Sequence, residues 1–141
     1  MEIGKSINKI SNRLRRRSKN VQQVLGITNA QGGILDFILV EGCDRAVYQK
    51  DIEHEFGLRS STATELLRSL EEKTLICRIS DEIDGRRKKI QFTEKASNIK
   101  KELQKELQNT ESILISGISE KELEQFYKTA QKMLANLSAD N

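Results

Sequence analysis

Residues 76–93 read ICRISDEIDGRRKKIQFT, and the pattern constrains everything around it. Ile76-Cys77-Arg78-Ile79-Ser80 reads as a strand. Lys89-Ile90-Gln91-Phe92 alternates polar and apolar residues, as a half-buried strand does. Between them, Asp81 to Lys88 is polar and contains Gly85, so the stretch is predicted to be a hairpin with a tight tip. Arg86, Arg87, Lys88 and Lys89 put four consecutive cations there, next to Asp84. Asp84 can brace the Arg86 guanidinium in a bidentate pair and fix its direction. An extended arginine on a narrow hairpin has the shape and charge for a DNA minor groove.

Upstream, the period changes to that of helices. A short helix is predicted from about Gln49 to Phe56, with Ile52 and Phe56 inward. Gly57 then supplies a turn residue that tolerates positive φ. Ser60 or Ser61 is the expected cap of a longer helix whose Ala63, Leu66, Leu67 and Leu70 form the buried face. Two helices joined by a short glycine turn are a helix-turn-helix pattern. Ser60, Ser61, Thr62, Thr64 and Arg68 can face outward from the second helix. Small hydroxyl side chains allow close approach to a major groove, where hydroxyls and an arginine can reach base edges.

The flanks are predicted to be helical too, since proline is absent and glycines are few. Ile3, Ile7, Ile10 and Leu14 recur at helical spacing, Val21, Val24 and Leu25 continue the stripe, and Gly26 closes it. Thr28 caps a second helix with Ile34, Leu35, Ile38 and Leu39 inward, ending at Gly42. Ala46-Val47-Tyr48 has the composition of a short strand. Thr93 opens a helix carrying Ala96, Ile99, Leu103, Leu107, Ile113 and Leu114. Ser119 and Glu122 have capping-box spacing before a last helix with Leu123, Phe126, Tyr127, Ala130, Met133, Leu134 and Leu137.

Composition narrows the classes. A chain of 141 residues fits one domain, or one domain with extra helices. No run of about 18 apolar residues suggests a membrane span, and the first ten residues lack the apolar core of a signal peptide. Two cysteines make no disulfide scaffold, so a reducing cytoplasm is the expected compartment. The net charge of +3 is too small to imply a nucleic-acid partner, but it is unevenly distributed. Residues 1–20 hold seven cations against Glu2 alone, so the rest of the chain is net acidic by three. No nucleophile–base pair, metal cluster or phosphate loop points to an enzyme, and no cofactor is expected.

Four stretches together resemble the MarR family (multiple antibiotic resistance regulators), which are winged-helix transcription factors. Ile27, Thr28, Gln31, Ile34 and Leu35 resemble the start of its second helix. Ser61 through Thr64, with Leu66, Leu67, Leu70 and Glu71, resembles its recognition helix. Leu75, Ile76 and Arg78 resemble the strand entering the wing. Asp84, Arg86 and Arg87, followed by Phe92-Thr93-Glu94-Lys95, resemble the wing signature and the helix after it. The motifs span about residues 27–96. Three positions depart from the family: Thr74 and Ala96 stand where glycine is usual, and Glu65 where many members are basic. A threonine at 74 must avoid or strain a left-handed cap.

The resemblance implies a mainly α fold with a small β-hairpin wing. It would be a single domain over 1–141: a winged helix-turn-helix over 27–93, flanked by dimerisation helices at 1–26 and 94–141. It implies a homodimer that binds a pseudo-palindromic operator in double-stranded DNA, acting as a repressor under a possible small-molecule effector. The expected DNA contacts are Ser60, Ser61, Thr62, Thr64, Arg68, Asp84, Arg86, Arg87 and Lys88. The alternative is a winged-helix module that binds protein without specific DNA binding; steep salt dependence of duplex binding separates the two. Arg13, Arg15, Arg16 and Arg17 read as a solvated face, an effector-pocket lip or a phosphate contact. Cys43 and Cys77 read as inert thiols, with redox sensing as the alternative. His54 has no evident partners for a metal site.

Overall fold

A computed structural model describes residues 2–139. The chain divides into two compact units, Met1–Thr110 and Glu111–Asn141. The order is α1 (Ile3–Leu25), α2 (Asn29–Glu41), α3 (Gln49–Phe56), α4 (Ser60–Glu72), β1 (Ile76–Ser80), β2 (Lys88–Phe92), a 3₁₀ turn (Glu94–Ala96), α5 (Ser97–Ile115) and α6 (Glu120–Ala139). The architecture is mainly α with one small antiparallel hairpin, as the sequence implies.

Local chemistry sets most helix ends. Gly26 closes α1 in the left-handed region (φ 67), with its N–H returned to the Gln22 and Gln23 carbonyls. Thr28 and Gln31 form a reciprocal capping box: the Gln31 N–H donates to the Thr28 hydroxyl (3.2 Å) and the Thr28 N–H to Gln31 Oε1 (3.0 Å). At α4 the expected cap is not used. Arg59 is the N-cap, extended at ψ 152 and without a side-chain bond, while Ser60 and Ser61 lie inside the first turn. Gly57 turns the chain at φ 62, and Leu58 packs onto the core directly after it, so the helix starts at the next opportunity.

In the first unit the core gathers Ile34 and Leu35 of α2, Ile52 of α3, Leu67 and Leu70 of α4, and Ile76 of β1, all fully buried. Gln31 is the buried polar side chain of this core, and its amide donates to the Leu66 carbonyl, tying α2 to α4. Phe56 is less inward than predicted. It is 39% exposed and packs edge-on against Phe37, with centroids 5.9 Å apart, over Gly33. Ala46-Val47-Tyr48 reduces to one bridge, Val47 to Ile90.

The second unit holds the end of α5, a turn at Gly117 (φ 79) and α6. Ser119 and Glu122 form the predicted box, with the Glu122 N–H donating to the Ser119 hydroxyl at 3.2 Å. Along α6, Phe126, Tyr127, Leu134 and Leu137 are 58–68% exposed. No single helix among the described residues is long and apolar enough to cross a membrane.

Candidate functional site

The outward face of α4 begins with Ser60 and Ser61, both exposed, and continues through half-buried Thr62 to exposed Arg68. Thr64, half-buried on the same helix, is also engaged within the protein. Its hydroxyl donates to the Ser60 carbonyl (2.8 Å) and accepts from Gln49 Nε2 (3.0 Å). Gln49, at the start of α3, also donates to the Ser60 carbonyl and accepts from the Arg78 guanidinium (3.1 Å). Arg78 in turn pairs with Glu71 at 2.8 Å. One glutamine thus joins α3, the first turn of α4 and β1. The sequence carries no signal for Gln49, because its partners lie up to 29 residues away.

The hairpin runs from Ile76 opposite Phe92 to Ser80 opposite Lys88. A third segment supports it at mid-strand: the Ile90 N–H donates to the Val47 carbonyl at 2.7 Å. The tip is closed by the Asp81 N–H on the Arg87 carbonyl (2.9 Å) and the Arg87 N–H on the Asp84 carbonyl (3.0 Å). Asp84 Oδ1 accepts the Arg86 backbone N–H at 3.1 Å and the Arg86 Nε at 3.4 Å. The expected bidentate brace is therefore a one-point contact. The same oxygen is already held by an Asx turn, which leaves the guanidinium projecting, 93% exposed. Ile83 projects from the same loop at 97% exposure, and Lys88 is exposed at the start of β2.

Arg87 takes a different course. Its guanidinium carbon stacks 3.7 Å from the centroid of the Tyr48 ring. The Tyr48 hydroxyl donates to Asp81, whose other oxygen accepts the Ile83 N–H at 2.9 Å. The tyrosine hydroxyl, and then the Ile83 N–H, hold the Asp81 carboxyl below its ordinary range. The same bond to Asp81 raises the Tyr48 phenol.

The other sequence candidates scatter. Arg17 is tied to α5, with its Nε on the Thr110 hydroxyl (3.2 Å) and its guanidinium 4.0 Å from Glu106. Arg13, Arg15 and Arg16 are exposed along α1. Cys43 is exposed after α2, its thiol donating to the Leu39 carbonyl, and Cys77 is half-buried in β1. His54 is exposed on α3. Between α1 and α5 lies a hollow of about 410 Å³ lined by Asn20, Val21, Val24, Leu25, Asn98, Ile99 and Glu102. On α2, burial pushes the Asp36 carboxyl up to about 6.

No protein-family model matches the chain. Crystal structures do. The chain is similar to MepR of S. aureus in its DNA-binding conformation, at 30% identity and a TM-score of 0.84, over 97% of this chain and 99% of that one. The S. aureus MepR–DNA complex aligns at 29% identity and a TM-score of 0.79, over 96% of each chain. The transcription regulator MarR from Oenococcus oeni PSU-1 aligns at 28% identity and a TM-score of 0.83, over 95% of this chain and 99% of that one. A common fold alone leaves kinship open, but 30% identity sustained along nearly the full length of both chains does not: this chain belongs to the MarR family of transcriptional regulators.

Proposed function

We propose that the chain is a transcriptional regulator that binds double-stranded DNA sequence-specifically. On this reading it is a ligand-responsive repressor, working as a homodimer on a pseudo-palindromic operator. The observation that carries it is Arg86, held by its backbone on Asp84 and projecting from a cationic hairpin that is hydrogen-bonded to the helix-turn-helix. The likeness to the MepR–DNA complex supports the same reading.

Each group then has a role. Ser60, Ser61, Thr62 and Arg68 read major-groove edges from α4, while Thr64 holds the start of that helix in place. Arg86 enters the minor groove, Asp84 sets its direction, and Arg87 and Lys88 meet phosphates. The chain acts as one domain over 1–141, with 1–26 and 94–141 pairing two copies. The half-exposed Ile3, Ile7 and Ile10 of α1 and the exposed apolar face of α6 support that pairing. The apolar hollow between α1 and α5 suits a small effector. The place of work is the cytoplasm, and catalysis is no part of the role.

Selection of bound duplexes from a random pool tests the reading. Enrichment of two symmetric half-sites about one helical turn apart is the expected result. A pool that stays unenriched, with binding insensitive to salt, would overturn it.

A further inference from the structure

We infer that Tyr48 is the positioning residue of the wing, holding Arg87 ready for a DNA phosphate by stacking under its guanidinium while its hydroxyl anchors the loop through Asp81. This rests on the DNA-binding reading above.

Two contacts meet at this one side chain, and a third bond is made by its neighbour in the chain. The ring lies 3.7 Å beneath the Arg87 guanidinium carbon. The hydroxyl reaches Asp81, which opens the loop and also holds the Ile83 N–H. The neighbouring residue, Val47, is the one whose carbonyl accepts the Ile90 N–H in the middle of β2. Tyr48 is itself the N-cap of α3, so it belongs to the helix-turn-helix and touches both ends of the wing loop.

What Arg87 does not do is equally informative. Among the described residues its side chain makes no ion pair and no hydrogen bond. The oxygens of Asp81 are engaged by Tyr48 and Ile83 instead. Stacking fixes the plane of a guanidinium while leaving its N–H edges open, the arrangement that suits bidentate phosphate contact. A side chain already ordered by the ring loses less freedom on binding.

The test measures affinity for a mixed-sequence 30-base-pair duplex across a salt series. Tyr48→Leu is expected to weaken binding about tenfold for a dimer with two wings. It should also lower the slope of log affinity against log salt by about 0.9 per protomer, the signature of one lost phosphate contact. Arg87→Ala should do the same, and the double variant should add little to either. Tyr48→Phe keeps the ring and should keep the slope. If Tyr48→Leu fails to fold, Arg87→Lys serves at an exposed position: it keeps the charge without the planar stack, and should lose affinity about threefold. A folded Tyr48→Leu with unchanged slope, additive losses in the double variant, or Arg87→Lys equal to the parent each overturns the inference. A parent protein that shows no salt-dependent duplex binding defeats both this inference and the proposed function. A parent that binds normally beside an unaffected Tyr48→Leu defeats this inference alone.

Discussion

The backbone carbonyl of Thr74, just past the end of α4, accepts the hydroxyl of Thr93, the residue that caps the 3₁₀ turn before α5, across the mouth of the wing. A second bond runs beside it, from the Thr93 N–H to the Leu75 carbonyl at 3.1 Å. Thr74 sits at φ 60, the one described non-glycine residue with positive φ. The Leu75 N–H returns to the Leu70 carbonyl (3.1 Å) and the Thr74 N–H to Glu71 (2.9 Å), which is a Schellman closure. The closure demands a left-handed residue, and a β-branched side chain is poorly suited to supply it.

Thr74→Gly is therefore expected to stabilise the fold. Relief of left-handed strain contributes roughly 1–2 kcal/mol, and the added freedom of glycine in the unfolded chain offsets roughly half of that. The net gain should be about 0.5–1 kcal/mol in denaturant unfolding. The bond from Thr93 is to the backbone and survives the change. A destabilised Thr74→Gly would show that the threonine side chain makes a contribution larger than its strain.

Arg86→Ala should leave unfolding unchanged, because the side chain is 93% exposed. Operator affinity should fall by about 1–3 kcal/mol, the usual worth of a specific base contact. Equal affinity of variant and parent at physiological salt would remove the wing from the interface.

Asp36 predicts a pH dependence with a definite sign. Its carboxyl titrates near 6 in the folded chain against 3.8 unfolded, because burial disfavours the charged form. Between those values the folded state binds the proton more tightly, so stability falls as pH rises from about 4 to 6, and the cost persists above. Asp36→Asn should flatten this slope and be more stable at pH 7.5, on the order of 1–2 kcal/mol after allowing for residual solvent contact. Parallel stability curves for the two proteins over pH 4–7 would contradict this.

Ile7 is 50% exposed and lies between Ile3 and Ile10 on α1. Ile7→Asp should shift sedimentation from dimer to monomer while leaving the first unit folded, since Ile7 is no part of its buried core. Deletion of residues 1–25 should likewise abolish the dimer, and should also cost stability because Val21 and Leu25 pack on that core. An intact dimer in either case would assign the interface elsewhere.

Interactions spanning three or four residues were legible. Thr28 with Gln31, Ser119 with Glu122, and Gly26 after a polar-apolar stripe mark helix ends by chemistry that needs only the chain's own neighbours. The change from helical to alternating period located the hairpin, and the crowded cations located its tip. Even the difficulty at Thr74 was visible, since the backbone demand of a helix end is local.

Tertiary structure decided what those elements do to one another. Ser60 lost its expected cap role to Arg59 because the core drew in Leu58. Thr64 became a brace because Gln49 lies across from it, and Arg87 came to lie on Tyr48 rather than projecting into solvent like its neighbour Arg86. The hydroxyl of Tyr48 and the carboxylate of Asp81 are 33 residues apart in sequence. Nothing in either residue's neighbourhood in the chain marks the pairing, because a side-chain contact at that separation exists only after the core has set the elements side by side.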